Sequence, residues 1–355
     1  MNINRRINAF IQLGRFLKQF SEVNHQNQNF QELDVNNELS TLLSTVKVHN
    51  PWFTELNVLN SFAAIANNLE EDNLSNWIIP YIYHLNDNKT PCRVVVIMAG
   101  NIPMVGFNDL LCVLLSGNIF VGKLAADDKI LLPYIAKKLI EIEPELSTFI
   151  EFTEGTIKNI EAVIATGSNN SARYFEYYFG KYPSIIRKNR NSVAILNNTE
   201  TTEELANLGN DIFQYFGLGC RNVSKLFVPL NYSFDLFYQS IIKFQDIIHN
   251  YKYGNNYEYN RTVYLMSNDD SLLDNNFLLL KKDTAYASPI GVLFYEFYND
   301  LADLNQKLEK DKELLQCIVS NNSAIKNAIL FGKAQCPALA DYADGIDTMK
   351  FLMEL

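Results

Sequence analysis

The chain has 355 residues, 48% of them hydrophobic and 20% charged, with 15 Gly and 10 Pro, a composition that excludes a disordered, fibrous or collagenous protein. That length accommodates roughly two domains of about 150 residues, each large enough to bury a core. Forty Asp and Glu against 30 Lys and Arg leave a net charge of −10, which argues against general nucleic-acid binding.

The N-terminal MNINRRINAFIQLGRFLKQF is basic, but Gln12, Arg15 and Lys18 break the apolar stretch that a signal peptide needs, so the segment reads as a retained helix. Ile3, Ile7, Phe10, Leu17 and Phe20 recur at helical spacing. Such a helix lies on a membrane surface, docks a partner, or folds onto its own domain. Residues 21–50, rich in Asn and Gln, read as a loose connection with short helices, and residues 56–86 as helices split near Asn73. No run of about 18 uncharged apolar residues occurs, so no transmembrane span is expected.

From Arg93 the pattern changes. RVVVIM is a β-branched run, AGNIP has the Gly and Pro of a tight turn, VGFNDLLCVLLSG reads as a buried helix ending at Gly117, and NIFVGK is the next strand. The alternation continues with a helix over 129–142, strands FIEF and AVIAT, a helix over 168–179 and strand SVAIL. A second set follows: a helix over 203–216, the turn GLGCRN, strand SKLFVP and a helix over 235–250. Residues 251–272 show little periodicity, and after them come LLLKK, GVLFYEF, a charged helix over 301–315 and AILFG. Strands and helices alternating at this spacing predict α/β architecture, two doubly wound lobes with largely parallel sheets joined near residue 197.

Five cysteines, Cys92, Cys112, Cys220, Cys317 and Cys336, form an odd set without CxxC, which fits a reducing, cytoplasmic compartment. Cys220 stands in a turn between a predicted helix and a predicted strand, next to Gly217 and Gly219, where backbone amides can hold an oxyanion and Arg221 can favour the thiolate. It is either a nucleophile or a small buried filler. Cys112 and Cys317 sit in apolar elements and read as core, while Cys92 and Cys336 receive no role. The four histidines are isolated, which supports neither a metal site nor a His-based triad. Asn101, after the RVVVIM strand, either donates to a substrate oxygen or only shapes its turn. Ser168 opens a helix, which suits phosphate binding or simple capping. Neither GxGxxG nor a P-loop is present.

Taken in order, AGNIPMVGFNDLL, SGNIFVGK, ATGSNNS, FGLGCRNVSKLFVP and AQCPALADYADGIDTMKFL resemble the acyl-CoA reductase family, which includes the fatty acyl reductase of bacterial bioluminescence and belongs to the aldehyde dehydrogenase superfamily. The resemblance runs from about Arg93 to the C-terminus. It implies an aldehyde dehydrogenase-like fold with an N-terminal helical segment (1–90), a cofactor-binding lobe (91–196), a catalytic lobe (197–330) and a C-terminal return segment (331–355). It further implies that Cys220 is the nucleophile, that Asn101 and the Cys220 amide form an oxyanion hole, that Lys123 contacts the adenosine ribose, and that Gly167 and Ser168 open the helix under the cofactor's pyrophosphate.

Two departures from the superfamily pattern matter. Oxidising relatives carry a water-activating glutamate about 33 residues before the cysteine, where this chain has Arg187, Lys188, Asn189 and Arg190. Loss of that base suits a reductase, because water would destroy the acyl intermediate. Ala126 stands where NAD-preferring relatives place a carboxylate, which leaves room for the 2′-phosphate of NADPH, although Asp127 and Asp128 follow it. The resulting expectation is an acyl-CoA (or acyl-carrier thioester) reductase that uses NADPH, with NADH as the alternative cofactor. Reduction of an acyl phosphate and a non-redox acyl relay on Cys220 are the rival readings. The apolar TMKFLMEL is expected to be able to add a strand to a partner subunit in a homo-oligomer.

Overall fold

The β-branched run after Arg93 forms β1 (Arg93–Ile97), the central strand of a five-stranded parallel sheet. Its neighbours are β2 (Ile119–Lys123), β3 (Ile150–Phe152), β4 (Ala162–Thr166) and β5 (Ser184–Arg187), in the order β3-β2-β1-β4-β5. Successive residues of a strand face opposite sides, so a continuous apolar run needs both faces covered. Val94 and Val96 pack with the N-terminal helices, and Val95 packs on the other side with Ile160, Phe175 and Phe179. The computed structural model describes residues 1–23, 34–85, 90–267 and 271–355.

These residues pack as two units, one of 1–188 with 338–355 and one of 189–337. In the first, the helix Ile3–Val23 buries Ile3, Phe10, Leu13, Leu17 and Phe20 in the core of its own unit. Its cations are also used locally: Arg5 pairs with Glu143 and Glu145, and Lys18 with Glu70. Of the loose connection expected over 21–50, residues 24–33 lie outside the described residues, and Asp34–His49 is a single helix. The next helices, Glu55–Asn68 and Glu71–Ile78, break a few residues before Asn73, and Thr54 caps the start of the first by accepting from the Asn57 amide. Among the described residues no helix is long and apolar enough to cross a membrane.

The second unit holds β6 (Asn191–Ile195), β7 (Val223–Pro229), β8 (Leu273–Asp274), β9 (Leu279–Lys282), β10 (Val292–Tyr298) and β11 (Leu315–Val319). They form one sheet in the order β11-β6-β7-β10-β9-β8, parallel except for β8 against β9. One face packs Leu205, Leu208 and Phe237, and the other packs Leu304 and Leu308.

Several elements differ from the sequence expectation. SVAIL, read with the cofactor lobe, pairs in the second sheet between β11 and β7, because a parallel strand's sheet is set by partners distant in sequence. The strand Ser184–Arg187 was not expected, nor was the helix Tyr251–Met266. That helix buries Tyr253, Tyr257 and Asn260 while Tyr251, Tyr259 and Met266 are exposed, so no apolar period marks it. AILFG is not a strand; Ile329 alone bridges Val319. TMKFLMEL is helical over Thr348–Met353, with Asp347 accepting from the Lys350 amide and Thr348, Met349 and Leu352 buried, so it offers no free strand.

Candidate active site

The first sheet reverses its winding between β1 and β4, and α/β sheets build their sites in the loops leaving the carboxyl ends at such a point. Five of the residues singled out from the sequence lie there: Asn101 after β1, Lys123 closing β2, Ala126 in the following turn, and Gly167 and Ser168 after β4. The loops carrying Asn101 and Ala126 touch, for a Cβ on Gly100 would lie 2.8 Å from that of Ala125. Asn101 and Ala126 are both exposed. The Ala126 carbonyl accepts from His49 Nε2 at 2.9 Å, and the Asp127 carbonyl from Asn50 Nδ2 at 3.2 Å, so the end of helix Asp34–His49 pins this turn. The Asp128 carboxylate turns inward and accepts from the Leu131 amide at 3.4 Å, which leaves Asp127 as the exposed acid of the pair. Burial pushes the Asp128 carboxyl up to about 6.

Lys123 donates to the carbonyls of Gly155 (3.2 Å) and Glu154 (3.4 Å). It lines a cavity of about 490 Å³ together with Ile97, Ile160, Tyr174, Phe175, Tyr178 and Lys181. Two ammonium groups among aromatic rings suit a planar base joined to an anionic group. Ser168 caps the helix Asn169–Phe179, its Oγ accepting from the Ser171 amide at 3.1 Å. Tyr174, Tyr178 and Lys181 were not singled out from the sequence.

In the second unit, the turn before Cys220 is wound by three successive left-handed residues, Tyr215 (φ 54°), Phe216 (φ 59°) and Gly217 (φ 75°). Bulky residues resist that conformation, so surrounding contacts must impose it. Asn222 bridges the two ends of the run. Its Oδ1 accepts from the Gly219 amide at 2.8 Å, and its Nδ2 donates to the carbonyls of Gln214 (2.8 Å) and Asp211 (3.0 Å). Cys220 is exposed at the end of this turn, and its carbonyl accepts from Ser192 Oγ at 2.9 Å. Arg221 directs its Nε to the Ala334 carbonyl at 2.6 Å. Cys112 and Cys317 are buried, and burial holds the Cys112 thiol well above its ordinary range. Cys336 is exposed.

Asp211, fully buried in the helix Thr202–Phe213, is a further residue that sequence reading did not single out. Its two oxygens accept from the amides of Gly332 (2.6 Å) and Ala334 (2.9 Å), clamping the segment that also receives Arg221. Burial, only partly offset by those amides, pushes its carboxyl up to about 6. Between about pH 4 and 6 the folded chain thus keeps a proton that the unfolded chain has released, and stability falls as pH rises through that window. The unfolding free energy of the wild type from urea denaturation, referred to Asp211→Asn, is expected to decline across it by on the order of 2–3 kcal/mol. A difference independent of pH would return the carboxyl to its ordinary range.

Arg187, the first of the four residues (187–190) that the resemblance sets near the glutamate position of oxidising relatives, is buried in the first unit. Its Nη1 and Nη2 donate to Asp109 Oδ2 (2.7 Å) and Oδ1 (2.9 Å), and Nη2 also reaches Thr348 Oγ1 at 3.0 Å. A guanidinium locked in this bidentate pair has no capacity to act as a base. Among the described residues no group of His, Cys, Asp and Glu is placed to hold a metal ion.

Residues 4–233 match the family model described as acyl-CoA reductase (LuxC). No match is found among curated proteins. Among solved structures, the chain is similar to aldehyde dehydrogenase 21 from Physcomitrella patens in complex with the reaction product succinate, at 12% identity and a TM-score of 0.66, over 100% of this chain and 84% of that one. It is also similar to the aldehyde dehydrogenase KauB from Pseudomonas aeruginosa, at 13% identity and a TM-score of 0.61, over 92% and 78% of the two chains. Indole-3-acetaldehyde dehydrogenase complexed with NAD+ matches at 14% identity and a TM-score of 0.60, over 91% and 73%. At these identities the likeness establishes an aldehyde dehydrogenase-like fold.

Proposed function

This chain belongs to the acyl-CoA reductase (LuxC) family, and on that premise we propose that it reduces an acyl thioester to an aldehyde with a nicotinamide cofactor, through an acyl group carried on Cys220. The observation that carries the reading is the exposed Cys220 at the end of a turn held in left-handed geometry by Asn222. A thiol kept at the surface by a strained, heavily braced backbone is poorly explained as packing filler.

The Cys220 thiolate attacks the thioester carbonyl, forming one carbon–sulfur bond and breaking another as CoA or a carrier thiol departs. Asn101, assigned by the family pattern alone, donates to the carbonyl oxygen as negative charge develops there. The residues beside the 490 Å³ cavity fit a nicotinamide dinucleotide: Lys123 and Lys181 for its phosphate and ribose oxygens, Tyr174 and Tyr178 for its adenine. When bound, that cofactor supplies the hydride. Collapse of the resulting hemithioacetal oxyanion breaks the bond to Cys220, frees the aldehyde and regenerates the thiolate. Arg187, occupied by Asp109, cannot activate water against the acyl-cysteine. The setting is a reducing, cytoplasmic one, since Cys220 must remain a thiol.

Incubation with acyl-CoA and NADPH is expected to yield aldehyde. Turnover of acyl phosphate but not acyl-CoA would move the activity to the acyl phosphate reductases, and acylation without nicotinamide-dependent turnover would leave an acyl relay. Asn101→Ala is expected to slow acylation about 100-fold with little change in NADPH affinity, the loss of one oxyanion donor. An unchanged rate would make Asn101 a turn former.

Cofactor choice rests on Ala126, Asp127 and Asp128. With Asp128 turned inward and no carboxylate at Ala126, NADPH is expected to serve at least as well as NADH. Ala126→Glu should shift the ratio of kcat/KM toward NADH about tenfold or more, as a new charge repels the 2′-phosphate. A wild type with strong NADH preference, untouched by Ala126→Glu, would remove the adenosine from this turn.

A further inference from the structure

The amino-terminal end of the first sheet's strands holds a cavity of about 640 Å³, lined by the residues that precede β1, β2, β3 and β4. The length of β1 places it roughly 15 Å from the loops of Asn101 and Lys123. Arg6 forms part of its wall and is only 7% exposed. Arg6 Nη1 donates to the carbonyls of Leu114 (3.2 Å) and Leu115 (2.7 Å), at the end of helix Phe107–Leu115. Nε is buried without an acceptor, and Nη2 makes no hydrogen bond among the described residues. The chain is built around this guanidinium: Gly117 adopts φ +82°, and a Cβ there would lie 2.6 Å from Nη1.

Arg6 forms no ion pair among the described residues. A helix C-terminus offers about half a negative charge, less than a buried guanidinium needs. Glu161, on the same wall, is exposed and engaged with the Arg93 amide at 2.7 Å. Its negative charge disfavours a dianion in the cavity, whereas one monoanion would neutralise Arg6. Ile3, Leu85 and Leu352 make an apolar wall beside it.

We propose that this cavity is a second binding site, which takes a monocarboxylate with a short aliphatic chain. The carboxylate meets Arg6 through Nη2, and the chain lies along Ile3, Leu85 and Leu352. The site goes beyond the reductase reading, since none of its residues belongs to the Cys220 turn or to the loops at the carboxyl ends of the strands.

Octanoate is the probe, with octanol and inorganic phosphate as the uncharged and chain-free controls, and thermal unfolding of the full chain is the readout. Octanoate is expected to raise Tm saturably, by about 3 °C or more, while octanol and phosphate are not. Arg6→Gln should abolish the rise. Should that variant fail to fold, Thr90→Trp, which fills the cavity from an exposed wall position, keeps Arg6 in place and should abolish it equally. Cys220→Ala should keep the full rise, which separates this site from the reductase reading. No saturable rise, an equal rise with octanol, or a rise that survives Thr90→Trp would overturn the proposal and leave Arg6 as the cap of its helix alone.

Discussion

Cys220→Ala is expected to remove acyl-enzyme formation completely and to lower aldehyde production by roughly 1000-fold or more, because the thiol proposed to carry the acyl chain is gone. Intact-mass spectrometry after incubation with a series of acyl-CoAs measures both the adduct and the chain length preferred. Exposure alone does not single out the residue, since Cys336 is exposed too. What separates them is the backbone. Cys220 ends the left-handed run Tyr215–Gly217 and is braced by Asn222, whereas Cys336 follows a segment tethered by Asp211 and Arg221 through Gly332 and Ala334. Cys336→Ala should therefore acylate at the wild-type level, and adducts at full yield on Cys220→Ala would refute the proposed nucleophile.

The largest stability effect is expected at the Arg187–Asp109 pair. Both side chains are more than nine-tenths buried, and Asp109→Ala leaves a guanidinium without its counter-charge. A loss of about 3–5 kcal/mol in urea denaturation is expected. Replacing both partners, as in Asp109→Leu with Arg187→Met, removes the stranded charge and should restore most of that loss. Thr348, which also accepts from Arg187, ties the pair to the C-terminal helix Thr348–Met353. Asp109→Ala should therefore increase proteolysis after residue 338, a readout that a uniformly weakened core would not favour. A loss under about 1 kcal/mol would mean that the surrounding helices hold without the pair.

The family membership that the ordered motifs implied is shown by the match over residues 4–233, and the fold they implied by the aldehyde dehydrogenase-like neighbours. Four of the five motifs contain or adjoin a strand, where a run such as RVVVI is visible because both faces of its sheet are covered, and AQCPALADYADGIDTMKFL is loop and helix. The helix Tyr251–Met266 was invisible for the converse reason, with apolar residues distributed around its circumference. Strand Ser184–Arg187 was hidden by its ending: a charged last residue argues against a buried strand until Asp109 is known to meet it.

By itself, the sequence determined the α/β class, the alternation of elements, the family, and the turn that carries Cys220, since each is written in local spacing and in a few glycines. Tertiary structure alone decided which sheet receives Asn191–Ile195, that the C-terminal TMKFLM is a buried helix, and that Asp128 turns inward while Asp127 does not. It also decided the side-chain partners of Arg6, Arg187 and Asp211, which lie between 78 and 161 residues away along the chain. Local propensity carries no information about such pairings. A buried charge is tolerated only where distant backbone or side-chain groups meet it, and those meetings are set by packing.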